Sequence, residues 1–123
     1  GYHTEKLTLM KMLVILYSGD NMNLLENAVV QEQRRIEYMI KKYETELTTL
    51  PKGALIAKMI KGNQYYYLQY RSGKKTISKY VGRAGDKVER LQQQIERRRH
   101  IQVMLKALSE EYAITQKMME VCI

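Results

Sequence analysis

Residues Tyr65 to Gly82 read "YYYLQYRSGKKTISKYVG" and contain five of the chain's ten tyrosines without a single acidic residue. Here and just upstream, side chains alternate with a period of two, which is typical of strands with two different faces. The alternating runs are "ALIAKMIK" (54–61), "QYYYLQYR" (64–71) and "KTISKYV" (75–81). The short breaks between them, "GN" and "SGK", have hairpin-turn composition. The sequence therefore predicts a three-stranded antiparallel meander.

The alternation also predicts two unlike faces for this sheet. With two-residue turns at 62–63 and 72–73, Leu68 faces Ala57 and Ile77. The more apolar face, expected to pack on helices, contains Leu55, Ala57, Met59, Tyr66, Leu68, Tyr70 and Ile77. The opposite face contains Lys58, Tyr65, Tyr67, Gln69, Arg71, Lys74, Thr76, Ser78 and Tyr80. Because side chains of a strand alternate between its two faces, some of the tyrosines are expected to point away from the core.

An amphipathic helix is expected on each side of the sheet. Side chains of a predicted buried seam recur at steps of three and four over 23–49 and again over 86–121, and Pro51 ends the first helix. The first seam runs through Leu25, Val29, Glu32, Ile36, Met39, Tyr43, Glu46/Leu47 and Leu50. The second runs through Val88, Leu91, Ile95, Arg98, Ile101, Leu105, Leu108, Tyr112, Thr115, Met119 and Cys122. The predicted class is therefore α+β. The predicted architecture is a long antiparallel, coiled-coil-like helical hairpin with the three-stranded antiparallel β-meander inserted between its helices.

In the second helix, Arg97, Arg98 and Arg99 interrupt the apolar seam. Two interpretations stay open for them. They pair with Glu96 and with acidic side chains of the first helix, Glu32 among them, or they extend a basic surface along the second helix.

The predicted organisation is one domain over residues 23–123 (helix 23–49, sheet 54–81, helix 86–121), preceded by an apolar segment over residues 1–22. The run "LTLMKMLVILY" (Leu7–Tyr17) is shorter than the twenty or so residues of a membrane span. We expect this segment either to be foreign to the natural chain or to form a dimer. The second helix is also longer than the first, so its surplus apolar seam favours a homodimer.

The formal net charge of +8 is concentrated in the middle of the chain. Residues 51–85 contain Lys52, Lys58, Lys61, Arg71, Lys74, Lys75, Lys79 and Arg83 and no acidic residue. A field of one sign predicts an anionic partner, either nucleic acid or an acidic protein surface, rather than a membrane.

The predicted nucleic-acid-binding residues lie on the polar face and beside it: Lys58, Tyr65, Tyr67, Gln69, Arg71, Lys74, Lys75, Thr76, Ser78, Tyr80 and Arg83. Arg71 can bond to a guanine edge and Gln69 to adenine, while lysines hold phosphates. Because β-ribbons enter the major groove, DNA is favoured over RNA, although the tyrosines could also stack on single-stranded bases. The alternative is that exposed Tyr and Thr are present only as good strand formers.

Catalytic and metal-binding motifs do not emerge from the sequence. No paired catalytic carboxylates, phosphate loop or nucleophile elbow can be recognised, so we expect no enzyme activity, no cofactor and no metal site. The single cysteine, Cys122, cannot form an internal disulfide, which favours a reducing, cytoplasmic setting.

A family resemblance rests on "LPKGALIAKMIKGNQYYYLQYRSGKKTISKYVG" (50–82) and the following "DKVERLQQQIERRRHIQVMLKAL" (86–108). Together these stretches resemble a family of small uncharacterised bacterial and phage-borne proteins over roughly residues 50–110. The resemblance implies a three-stranded sheet on a helical hairpin and a mobile-element or host-interaction setting, without an established activity. More distantly, the sheet is similar to the arm-binding domains of tyrosine recombinases.

Two other functions remain open besides nucleic-acid binding. One is a protein-interaction module, such as a phage-encoded, anti-CRISPR-like inhibitor of a host defence nuclease. The other is a coiled-coil oligomerisation unit that the sheet merely caps.

Overall fold

The computed structural model describes residues 22–122. Its elements follow the chain as α1 (Met22–Leu47), β1 (Ala54–Ile60), β2 (Asn63–Ser72), β3 (Lys75–Gly82) and α2 (Asp86–Cys122). The strands form one antiparallel sheet in the order β1-β2-β3. The predicted α+β class, with a meander between two helices, is confirmed. The expectations for the apolar run Leu7–Tyr17 lie outside the described residues.

The helix ends follow from local chemistry. α1 ends at Leu47, two residues earlier than predicted, because the amides of Thr49 and Leu50 bond three residues back, to the carbonyls of Glu46 and Leu47. Pro51 then disfavours any further helical residue. α2 begins at Asp86, with the amide of Glu89 bonded to the carbonyl of Gly85 at 3.0 Å. Both acidic side chains suit the positive end of the helix dipole.

The described chain divides into two compact units. The helical unit consists of residues 22–45 and 103–122, and the sheet unit consists of residues 46–102. In the helical unit, Leu25 and Val29 of α1 form a buried cluster with Met118 of α2. The antiparallel, coiled-coil-like hairpin remains a prediction.

Polar contacts also connect the two segments of the helical unit. Arg35 bonds Glu32 on its own helix at 2.8 Å and lies 3.8 Å from the buried Glu111 of α2. The hydroxyl of Tyr112 donates to a carboxylate oxygen of Glu37 at 2.8 Å. That hydrogen bond, desolvation and the negative charge of Glu37 raise the pKa of the Tyr112 phenol above 10.0.

The seam of α2 differs by one residue from the predicted one near its C-terminal end. Leu108 and Thr115 are buried as expected. Beside them, however, Glu111 and Met118 are buried, where Tyr112 and Met119 were expected, and those two are only half-buried. Positions three and four residues along a helix both flank the same stripe, and the pattern of one helix does not say which flank is covered.

The strand register also differs from the predicted one, by two residues in each hairpin. Leu68 pairs with Leu55 and Lys79, not with Ala57 and Ile77. The two-residue turns fall at 61–62 and 73–74 instead of 62–63 and 72–73. Because the shift is an even number of residues, the strand side chains keep their predicted faces. Lys74, predicted on the polar face, falls instead in the second turn.

Backbone conformation explains the actual turns. Lys61 and Gly62 both have positive φ, 50° and 82°, as the two central residues of a type I′ turn require. In the second turn only Gly73 has positive φ, at 62°, which fits a type II′ turn. The "GN" composition predicted the first turn one residue too late, because Gly62 supplies its second central position.

The more apolar face of the sheet meets the first turns of α2. Leu55, Ala57 and Tyr66 line a depression of about 420 Å³ together with Val88 and neighbouring polar residues of α2. Five members of this face are half-buried, whereas Ala57 and Met59 are exposed. The helix therefore covers this face only in part.

Candidate nucleic-acid interface

The opposite face of the sheet, here called the tyrosine face, brings most of the predicted binding residues together. Cross-strand pairing places Lys58 opposite Tyr65, and Tyr67 opposite Tyr80. Further along the same face, Gln69 lies opposite Ser78, and Arg71 opposite Thr76. Eight of the eleven predicted residues thus share one face: Lys58, Tyr65, Tyr67, Gln69, Arg71, Thr76, Ser78 and Tyr80.

Three tyrosine rings form a cluster at one end of this face. The centroid of Tyr80 lies 5.5 Å from that of Tyr67, in an edge-to-face arrangement, and 6.2 Å from that of Tyr65. These are favourable separations for aromatic pairs. Tyr65 and Tyr67 are half-buried, but Tyr80 is 58 % exposed. The cluster therefore stabilises a sheet surface that is otherwise open to solvent.

Two cations lie over these rings. The Nζ of Lys58 is 4.7 Å from the centroid of Tyr67, and the guanidinium carbon of Arg83 is 5.6 Å from that of Tyr65. Arg83 also donates to the side-chain oxygen of Asn63 at 2.6 Å. Cation–π contacts of this kind orient a charge without neutralising it. Arg83, which follows β3, thereby belongs with the tyrosine cluster.

The other end of the face is polar. Gln69, Arg71, Thr76 and Ser78, here called the polar half, are all exposed and stand as two facing pairs. Arg71 and Gln69 on one strand provide the donors and acceptors that read base edges in a groove. A cationic aromatic end and a hydrogen-bonding end therefore lie along one surface.

Two predicted binding residues do not lie on this face. Lys74 is in the β2–β3 turn, and Lys75 pairs with Ser72, which places it on the same side as Ile77 and Lys79. On that side, Lys79 lies 5.9 Å from the ring centroid of Tyr70. Lys75 is therefore separated from the tyrosine face.

The positive charge predicted for the middle of the chain lies on side chains in contact with solvent. All eight basic side chains of residues 51–85 are exposed, and this stretch has no carboxylate to neutralise them. Both sides of the sheet and its turns thus have positive charge in contact with solvent. Such a field raises the local concentration of anions.

The sequence interpretation missed Ile56 and Ile60. Both belong to the tyrosine face by register, and they are 36 % and 43 % exposed. The alternation of β1 already carried this signal, because Ile56, Lys58 and Ile60 are two residues apart. The face therefore combines aliphatic, aromatic and cationic side chains.

No set of three His, Cys, Asp or Glu side chains within residues 22–122 is arranged to hold a metal ion. Neither helix, over the same described range, has an apolar stretch long enough to cross a bilayer.

The fold and this face define an α+β protein with a basic, tyrosine-rich meander between two helices. The chain belongs to the family described as domain of unknown function (DUF6788), whose model matches residues 29–93, more than half of the chain. That match includes most of α1, the whole sheet and the first turns of α2, which confirms the expected membership of an uncharacterised family. No curated protein and no solved structure matches the chain.

Proposed function

We propose that the tyrosine face is a non-enzymatic nucleic-acid-binding surface. The observation that carries this proposal is that cations with a fixed orientation occur within residues 51–85, a stretch that contains no acidic residue. Lys58 and Arg83 are held over tyrosine rings, and the eight basic residues of 51–85 are exposed without an acidic neighbour in that stretch. A phosphate backbone is the ligand that such a surface attracts most strongly.

Duplex DNA is the proposed ligand, in preference to RNA. The polar half offers Arg71 for a guanine edge and Gln69 for an adenine edge, and a narrow sheet fits the major groove of B-DNA. The deep, narrow major groove of A-form RNA does not admit such readout. Stacking on single-stranded bases is a weaker mode here, because the edge-to-face ring contacts and the overlying cations occupy ring surface of Tyr65 and Tyr67.

The biological setting that we propose is a bacterial or phage-borne mobile element, with the protein in the cytoplasm as a homodimer. The family resemblance supports the setting, and the long α2 supports the dimer. A dimer would present two tyrosine faces to one duplex, as two-fold symmetric readers do.

A second candidate function is binding of an acidic protein surface, as by an inhibitor of a defence nuclease. The exposed Ile56 and Ile60 favour it, because aliphatic side chains beside cations are suited to a protein interface. They have no comparable use against a phosphate backbone.

The test is fluorescence anisotropy with short duplex DNA, single-stranded DNA and RNA at 50 and 200 mM salt. About four to six phosphate contacts give a slope of about +4 to +5 in log Kd against log salt, hence roughly 10²- to 10³-fold weaker binding at the higher salt. We expect Lys58→Gln/Arg71→Gln to weaken binding and to reduce the slope by about 2.

The matched control is Lys75→Gln/Lys79→Gln, which removes the same charge from the other side of the same sheet. Each double variant also loses one cation–π contact, so that stability changes alike. Equal effects of the two variants would refute a site on the tyrosine face. If all three nucleic acids fail to bind while an acidic protein is captured through Ile56 and Ile60, the second candidate replaces the first.

A further inference from the structure

The sheet unit contains a second basic feature, whose lining residues are not members of the tyrosine face. It is an open pocket of about 390 Å³, lined by Lys52, Gly53, Ile95, Arg98, Arg99 and Gln102. Three of these six residues are cationic and none is acidic. The segment before β1 and about two turns of α2 thus enclose a concave, positively charged space, here called the basic pocket.

Arg98 is fixed in the wall of this pocket. Its Nη1 donates to the carbonyl oxygen of Leu47, the last residue of α1, at 2.9 Å and to that of Leu50, three residues further along, at 3.0 Å. The bond to Leu47 helps to satisfy a carbonyl that has no partner within the helix. Because both acceptors are neutral, the guanidinium keeps its full positive charge beside the pocket.

The carboxylate of Glu46, the residue before Leu47, binds a different arginine. Glu46 accepts two hydrogen bonds from Arg97, at 2.6 and 2.9 Å. This confirms the pairing interpretation for Arg97, with Glu46 in the place of Glu32. The same interpretation does not extend to Arg99, which is exposed and lines the pocket. Arg97 is thus paired with an acid, Arg98 bonds to the end of α1, and Arg99 lines the pocket.

Lys52 is held at the rim by its neighbour. Gly53 has φ 113° and lies so close to β2 that a Cβ atom there would overlap the carbonyl oxygen of Gln69. The main chain at Gly53 is therefore docked on the sheet, and Lys52 reaches the pocket from a defined position. The floor is apolar, since Ile95 is 1 % exposed.

We propose that the basic pocket binds a phosphate group carried on a nucleotide, either a free nucleotide or the end of a strand. Lys52, Arg98 and Arg99 supply the charge, and the Gln102 amide adds a neutral donor. The volume lies within the range of small-molecule sites, so the pocket has room for more than a bare phosphate. This inference does not rest on the tyrosine face, because the two residue sets share no member.

The experiment is an ¹H–¹⁵N NMR titration of the full chain with inorganic phosphate, adenosine monophosphate, adenosine, and a tetranucleotide with and without a 5′ phosphate. We expect shifts at the amides of Gly53 and Gln102 with adenosine monophosphate that adenosine does not produce. Lys52→Gln/Arg99→Gln should weaken this binding about tenfold, since both side chains are exposed. The charge-matched control, Lys87→Gln/Lys106→Gln, should change it less than about twofold.

The probes separate the two sources of the phosphate. Shifts with adenosine monophosphate assign the site to a free nucleotide, whereas shifts seen only with the phosphorylated tetranucleotide assign it to a strand end. Phosphate-independent shifts, equal weakening by both double variants, or no shift with any probe would overturn the proposal. None of these outcomes decides the tyrosine face, whose test uses Lys58 and Arg71.

Discussion

The helical unit and the sheet differ in what stabilises them. In the helical unit, side chains such as Leu25, Val29 and Ile36 are almost completely removed from water. The three strands, over 54–60, 63–72 and 75–82, contain no fully buried side chain. The helices are therefore stabilised mainly by apolar burial. The sheet depends more on its ladder hydrogen bonds, its turns and the contacts among exposed rings and cations.

The two regions are vulnerable at different kinds of position. A buried side chain is hard to shorten without leaving a cavity, whereas a half-buried strand residue loses less on truncation. In the sheet, the demanding positions are instead those with unusual main-chain conformation, among them Gly53, Gly62 and Gly73. Three predictions test this contrast.

The largest effect is expected from Ile36→Ala in α1. Ile36 is 0 % exposed, so the lost methyl groups leave a cavity that costs about 2–5 kcal/mol in the free energy of unfolding. Leu68→Ala, at a half-buried position of β2, should cost only about 1–2 kcal/mol. Urea denaturation followed by circular dichroism measures both. Equal losses for the two variants would remove the contrast between the units.

The next effect is expected from Gly53→Ala, which tests the sheet through its main chain. A Cβ at this position meets the Gln69 carbonyl as well as an unfavourable φ, so we expect a loss of roughly 2–4 kcal/mol in unfolding free energy. Gly62→Ala is the control, because its φ is also positive but its Cβ would meet open space. The control should lose only about 1–2 kcal/mol, as measured by the same urea titration.

If Gly53→Ala were tolerated as well as Gly62→Ala, the close approach of Gly53 to β2 would not limit the sheet. The position of Lys52 at the basic pocket would then lose its explanation as well. The stability of Gly53→Ala therefore bears both on what limits the sheet and on how Lys52 is positioned at the basic pocket.

The smallest effect concerns the polar contacts of the helical unit. The hydrogen bond to Glu37 raises the pKa of Tyr112, so the folded state binds this proton more tightly than the unfolded state. The resulting stabilisation is present below pH 10 and is lost as pH rises through the folded-state pKa. ¹³C NMR of the tyrosine Cζ should show the Tyr112 pKa falling in Glu37→Gln and unchanged in the control Glu44→Gln. An identical Tyr112 titration in Glu37→Gln would contradict the contact.

Much of the fold was predictable because periodicity records burial directly. The stripe through Leu25, Val29 and Ile36 predicted α1, and strict alternation predicted the three strands and the face of each strand side chain, though not the turn position of Lys74. The register was not predictable, since it depends on which two residues form each turn, and Lys61 takes a positive φ that its type does not favour. An even shift left the faces intact.

The candidate site was predictable as a set of residues and not as a geometry. Alternation assigned Tyr65, Tyr67 and Tyr80 to one face, but only side-chain conformations bring their rings together under Lys58 and Arg83. The basic pocket was even less predictable from the sequence. Arg98 and Lys52 are far apart in the chain, and no local pattern brings them together.

The polar half has a consequence for protein engineering. Gln69, Arg71, Thr76 and Ser78 form a two-by-two patch on a sheet whose folding does not require their burial. Substitutions at exposed positions of this kind usually change stability by about 0.5 kcal/mol or less. The patch can therefore be randomised in a display library, with the turns and the tyrosine cluster left constant, to select binders on a small cysteine-poor scaffold.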